Sequence, residues 1–416
     1  LTELNAGLQL RLVVSDLAAF KSMAPNIDAT AAVQRYRYEK GDCMTAMEAQ
    51  AAVAGTGECP ASADWLIYDW NAAEVCTRAF RKRPPHIILE CFQCGRPAWL
   101  EALLFADNAK DADAAGAATA PVPSAESALP TNAIPIANAA HRVQILNLDY
   151  LTAEEYADDF HCLKSGTRSQ FVKKVNFMPG FTAKTGGLVL DSVFMRSLDA
   201  RSLPPQVEAL VAAALASSSG TDVHRFLVPI FSYERDFAAI VAALTRFQAE
   251  RRKTDAAFTV CALVAAGKSC TPFLQAWERA DKPFAAGQLP FLPQEAWDSV
   301  LCAADFSFVR GEDSLSRACL AGVPFVWHAY PQEDNYQLVK VQALFSRLQP
   351  YLPQTLAAPL EQVWRSYNTT GALGEEALFT LLAQHKVLCI AFSAFSHALI
   401  ANGNLAERLL AYLATL

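Results

Sequence analysis

Charge is scarce in this sequence. Asp, Glu, Lys and Arg make up 19% of its 416 residues, and acids outnumber bases 42 to 35, a formal net charge of −7. A protein built to grip a phosphate backbone carries a basic surface, so nucleic acid is not expected as a partner. The signatures H-E-x-x-H and G-x-S-x-G are missing, which sets aside the zinc proteases and serine hydrolases that use them. Gly267-Lys268-Ser269 has the look of a P-loop end, but the position that needs the first glycine holds Ala262. There is no repeat of fixed period. No apolar run reaches the ~20 residues of a membrane span. The most apolar late stretch, 387–400, is broken by Ser393, Ser396 and His397 and reads as a buried helix, so no membrane is expected. Eleven cysteines, an odd number without regular spacing, and no secretory leader pattern fit a reducing cytoplasm better than a disulfide framework. Cys91 and Cys94 form one C-x-x-C with no second pair at zinc-ribbon spacing, so no metal is expected.

What is present is alternation. Short apolar runs at 8–14, 65–69, 86–90, 143–148, 225–231, 258–264, 306–309 and 325–328 read as strands. Several are apolar throughout, as in a parallel sheet covered on both faces. Helical patterns such as 237–250 and 315–320 separate many of them, which predicts an α/β protein. Residues 1–7 read as the end of a helix stopped by Gly7, so a strand, a loop and most of a helix are expected upstream of Leu1. The 111–140 stretch is rich in Ala, Pro, Ser and Thr and reads as a flexible insertion. Ser217-Ser218-Ser219-Gly220 closes an Ala-rich helix. The expected division is a Rossmann-like domain over 1–180, a second over 221–385, and a helical segment over 386–416 packing back on the first.

The most informative segment is 305–336. Arg310-Gly311-Glu312-Asp313 reads as a tight loop between the strand 306–309 and a helix capped by Asp313 or Ser314, stopped by Gly322 and followed by Pro324. Such a loop lies where open α/β sheets bind ligands, and free N–H groups at a helix start favour phosphate. A guanidinium at Arg310 clamps a diphosphate. A carboxylate at Glu312 suits sugar hydroxyls instead, so the set fits a nucleotide-sugar. A helix cap with a surface salt bridge explains the same residues. Pro290 and Pro293 stiffen a loop that presents Phe291 for stacking on a base, with Gln294 for its edge. Phe231 and Tyr233 follow another strand end. Each aromatic also reads as ordinary core. His328 reads as a satisfied core histidine.

These segments, FVRGED at 308–313, AGVPFVWHAYPQED at 321–334, LPFLPQ at 289–294, PIFSYE at 229–234, LNLDYLTAEEY at 146–156 and PGFTAKTGG at 179–187, resemble in order those of the EarP family. That family comprises the protein-arginine rhamnosyltransferases that mature bacterial elongation factor P. The resemblance implies a GT-B fold, with two Rossmann-like domains facing a cleft. It also implies an inverting, metal-independent enzyme without a cofactor, moving rhamnose from dTDP-β-L-rhamnose to an arginine of elongation factor P in the cytoplasm. It assigns thymine stacking to Phe291 with Gln294 at the base edge, and the nucleotide pocket to Phe231 and Tyr233. Glu312 would hold ribose or sugar hydroxyls and be essential, and Arg310, Asp313, Ser314 and Tyr330 would surround the diphosphate. The family's first strand and a loop with two aspartates, one the proposed general base, correspond to nothing within 1–416, and Asp16 reads as structural. Other readings are a GT-B enzyme with another dTDP-sugar or acceptor, and a catalytically incomplete sugar-nucleotide-binding protein.

Overall fold

Runs such as Phe258–Val264, in which all seven residues are buried, can be satisfied only between two covering layers. The computed structural model, which describes residues 10–21, 24, 26–37, 64–105, 135–215, 224–369 and 373–415, builds them into three sheets. The first joins β1 (Arg11–Val14), β2 (Val33–Arg37) and β3 (Asp64–Asp69) in the order β1-β3-β2. The second joins β4 (Ile87–Cys91), β5 (Val143–Leu148), β6 (Lys164–Ser165) and β7 (Val172–Phe177) in the order β4-β5-β7-β6. The third joins β8 (His224–Ile230), β9 (Phe258–Val264), β10 (Ala285–Gln288), β11 (Ser307–Arg310) and β12 (Phe325–His328) in the order β10-β9-β8-β11-β12. Every pairing in the third sheet is parallel. The fold class is α/β, as the alternation predicts. The expectations for 1–7 and 217–220, and most of the 111–140 insertion, lie outside the described residues.

The chain divides into two units. One comprises Leu1–Asp149, Cys162–Phe177 and Leu410–Leu416, the other Tyr150–His161 and Met178–Leu409. In the first, Leu66, Tyr68, Phe80, Trp99 and Ile145 share one apolar cluster across both sheets. In the second, helices such as Ala238–Arg252, Cys270–Arg279 and Gly311–Ala321 cover the five-stranded sheet. Trp364 stacks on Phe325 at 5.3 Å and 26°, and its indole N–H donates to the Phe325 carbonyl at 2.9 Å. Burying an aromatic of that size contributes about 2–3 kcal/mol, and the hydrogen bond removes the cost of hiding its polar atom.

Two expected boundaries are corrected. Residues 150–161 and 178–180, placed in the first domain by the sequence, belong to the second unit. Ala153 and Phe181 join its core, and Arg347 Nε donates to the Ala153 carbonyl at 3.0 Å. The 386–416 segment also stays with the second unit as far as Leu409. In the His385–Ala401 helix, Leu388, Phe392, Phe395 and Leu399 form the buried stripe, and Ser396 Oγ donates to the Leu320 carbonyl at 2.6 Å. Only Leu410–Leu416 groups with the first unit, where Tyr412 lies 6.0 Å from the Phe177 ring. Among the described residues no single helix is long and apolar enough to cross a membrane. Glu375–Ala383 and His385–Ala401 pass that test only as a pair bent by 78°.

Candidate functional site

In chain order the third sheet runs third, second, first, fourth, fifth. Its order therefore reverses between β8 and β11, and open α/β sheets bind ligands at such a switch point, beyond the strand C-terminal ends. The two strands meet through Phe308 opposite Ile230, and Phe231 N donates to the Phe308 carbonyl at 2.9 Å. Phe231 and Tyr233 thus leave β8 beside Arg310, the last residue of β11. The Arg310 guanidinium lies 4.3 Å from the Phe231 ring centre and 4.8 Å from that of Tyr233. Cation–π contact holds the charge, and among the described residues no carboxylate is clamped on it, so its hydrogen-bond donors stay available to an anion. Tyr330, 67% exposed, sets its ring at a steep angle to Tyr233 at 5.7 Å.

The expected loop at 310–313 is instead the start of a helix. Arg310 is extended (φ −130°, ψ 161°) and the Gly311–Ala321 helix begins at the next residue, with no side-chain cap. Neither Asp313 nor Ser314 caps it. The turn from strand to helix is taken by Gly311 at φ +66°, a backbone region costly for other L-residues. Trp327 Nε1 pins it by donating to the Gly311 carbonyl at 2.9 Å. First-turn N–H groups without a cap, together with the helix dipole, favour an anion. Ser314 is buried in that first turn, and Asp313 uses its carbonyl to accept from Ser316 Oγ at 2.8 Å.

Glu312 is half-buried. Burial pushes its carboxyl above the usual carboxylate range, while Lys340 and the Leu151 backbone N–H pull it back. Lys340 Nζ stands 3.7 Å from Glu312 Oε1. Behind the aromatic pair, Ser232 Oγ sits 2.8 Å from both His328 Nδ1 and Tyr367 Oη. Burial, then Arg235 and Arg310, lower the His328 imidazole to about 4. It is a neutral, satisfied core histidine whose ring supports Tyr233 at 5.1 Å.

The 289–294 segment follows β10 at the sheet edge. Phe291 is 83% exposed. Gln294 begins the Gln294–Cys302 helix after Pro293, and its Nε2 donates to Asp298 Oδ1 at 2.7 Å. Trp297 of the same helix meets the Phe231 ring at 5.6 Å, which ties this helix to the β8 end. The structure therefore brings Phe231, Tyr233, Arg310 and Tyr330 together, places Glu312 in the first turn of the adjoining helix, and leaves Phe291 outstretched. Sequence reasoning missed Lys340, Trp297 and Asp298. The four-residue spacing of Gln294 and Asp298 on one helix was a usable signal for the last. A cavity of about 510 Å³ lined by Arg252, Thr259, Lys282 and Ala285 lies by the starts of β9 and β10, away from the switch point. Among the described residues no group of three or more His, Cys, Asp or Glu is placed to hold a metal ion.

The family model described as Elongation-Factor P (EF-P) rhamnosyltransferase EarP matches residues 122–414. A protein-arginine rhamnosyltransferase of Shewanella oneidensis is 34% identical over 245 residues, covering 56% of this chain and 59% of that protein. Another, of Pseudomonas putida, is 28% identical over 385 residues, covering 89% and 81%. The chain thus spans about six tenths of the Shewanella relative's length. A solved chain from work on the structural basis for EarP-mediated arginine glycosylation of translation elongation factor EF-P is 23% identical with a TM-score of 0.46, covering 57% of this chain and 75% of that one. With well over half of its residues inside the family model, and with the 308–313 and 229–234 segments meeting where the sheet order reverses, the chain belongs to the EarP family.

Proposed function

We propose that the chain is a cytoplasmic, inverting glycosyltransferase that moves L-rhamnose from dTDP-β-L-rhamnose to a guanidine nitrogen of an arginine in elongation factor P, without a metal. The observation that carries this is Arg310, held between Phe231 and Tyr233 beside an uncapped helix start. In this reading the diphosphate lies against the Arg310 guanidinium and the first-turn N–H groups, with Tyr330 beside it. Asp313 and Ser314 contribute backbone from that turn. Glu312, paired with Lys340, accepts hydrogen bonds from ribose or sugar hydroxyls. Phe291 folds onto thymine and Gln294 meets its edge.

In the transfer, a guanidine nitrogen attacks the anomeric carbon on the face opposite the leaving group. The N–C bond forms as the C–O bond to the diphosphate breaks, the configuration inverts, and the guanidine gives up one proton to a base. A guanidinium has a pKa above ~12 and is a poor nucleophile, so the proton must leave as attack proceeds. The charge that grows on the departing dTDP is met by Arg310 and the helix start, donors already in place before reaction.

Intact-mass analysis of elongation factor P after incubation with the full-length protein and dTDP-rhamnose tests this. A gain of one deoxyhexose on a single arginine is expected. An acceptor of unchanged mass ends the assignment of substrate. Glu312→Gln is expected to abolish the gain while leaving the thermal unfolding profile in place.

A further inference from the structure

Gln294 and Asp298 face the same side of the Gln294–Cys302 helix, and the Gln294 amide donates through Nε2 to Asp298 Oδ1 at 2.7 Å. An ionised carboxylate accepts and never donates. The amide therefore has one orientation, with its NH2 on Asp298 and its carbonyl oxygen turned away. Gln294 is exposed, and among the described residues that carbonyl oxygen accepts no hydrogen bond. Asp298 is itself fixed. It is 2% exposed, and its Oδ2 lies 3.4 Å from Arg317 Nε. Arg317 also donates to Asp191 Oδ2 at 2.5 Å and to the Val189 carbonyl at 3.3 Å, with its guanidinium 4.6 Å from the Phe194 ring centre. Asp191 in turn caps the Ser192–Ala200 helix by accepting from the Val193 and Phe194 N–H groups. Three residues before Gln294 the Phe291 ring stands in solvent. One short loop thus offers a flat apolar face and, beside it, an acceptor whose direction is locked from behind.

We propose that Asp298 is a positioning residue that sets base specificity: by holding the Gln294 amide, it presents a carbonyl oxygen to the base, so the site takes a pyrimidine with an N3–H donor, thymine or uracil, and rejects cytosine, whose N3 is an acceptor. The inference rests on the donor reading above and adds to it the residue that enforces the choice. An acceptor facing an acceptor leaves both unpaired, which is where discrimination of this kind comes from.

Calorimetric titration of the full chain with dTDP and with dCDP tests it, because the two ligands share the sugar and the diphosphate. In Asp298→Asn the new amide can donate to Gln294 Oε1, so the Gln294 amide can turn round and offer its NH2. The preference for dTDP over dCDP is expected to fall by roughly 3- to 10-fold, the worth of one net hydrogen bond, with dCDP gaining. A second measurement needs no variant. Burial raises the Asp298 carboxyl to about 6 against Arg317 and Gln294, which pull it down, and Asp191 and Glu295, which push it up. Lowering the pH through that value protonates Asp298 and lets it donate, so the wild-type preference is expected to shrink, and that of Asp298→Asn to stay level. A wild-type preference that is constant with pH and unchanged in a folded Asp298→Asn overturns the role of Asp298. A wild type that binds neither nucleotide overturns the donor reading itself.

Discussion

At the scale of single residues, the site is a cation held by rings and a carboxylate held by a cation. Phe291 is the clearest test of the apolar part. It is 83% exposed, so Phe291→Ala has nothing to unfold, yet dTDP binding is expected to weaken by ~1–3 kcal/mol if base stacking on an aromatic is the right analogue. A titration that superimposes on the wild type removes Phe291 from the pocket. Lys340 tests the carboxylate. Glu312 is already pushed up by burial and restrained by Lys340. Lys340→Met takes away the nearest cation, so the Glu312 carboxyl rises further. The acid limb of donor KM is expected to move to higher pH in that variant and to return in Lys340→Arg. The same pair shows what a sequence can carry. Phe231, Tyr233, Arg310 and Glu312 lie next to strand ends that hydropathy marks plainly. Lys340 sits in the Gln337–Leu348 helix, beyond any motif, and only the tertiary fold brings it to 3.7 Å.

At the scale of elements, the apolar strands were legible to within one or two residues where both are described, because their side chains all needed cover. Four others were missed: β6 is only two residues long (Lys164–Ser165), and three were hidden by composition. β2 (VQRYR) and β7 (VKKVNF) carry cations, and Lys174 in β7 is paired with buried Glu90 at 2.8 Å. β10 (AAGQ) has small residues because the Pro205–Leu215 helix packs directly on it. The 310–313 stretch was misread as a loop because Asp and Ser invite a capping reading, whereas Gly311 makes the turn without a cap. Gly322, by contrast, was read correctly as the stop. It closes the Gly311–Ala321 helix at φ +66°, and a Cβ there would stand 3.1 Å from Ser393 Cα and Ser396 Cβ on the His385–Ala401 helix. Gly322→Ala combines a left-handed backbone penalty with overpacking, and about 2 kcal/mol or more of destabilisation is expected in urea unfolding. An unchanged midpoint would mean that the two helices part freely.

For the whole molecule, acid response follows from buried groups rather than from net charge. His328 is held neutral, with its imidazole lowered from 6.5 to about 4. The unfolded chain binds that proton first, so the stability His328 contributes is complete above about 6.5 and is lost as pH falls through about 4. The difference in unfolding free energy between wild type and His328→Asn is therefore expected to shrink steadily over that window, read from denaturant midpoints at each pH. A difference that stays constant would mean that the imidazole is not buried uncharged.

The chain changes unit after Asp149, His161, Phe177 and Leu409, so the halves are braided along the sequence rather than strung in series. No single cut yields both as intact fragments. A cut at 180 strands 150–161 on the wrong piece, and a cut at 220 strands 178–215 as well. Anyone splicing the second unit onto a relative's first unit must move its two stretches, 150–161 and 178–409, together across four junctions, and shuffling at one junction would yield misassembled hybrids.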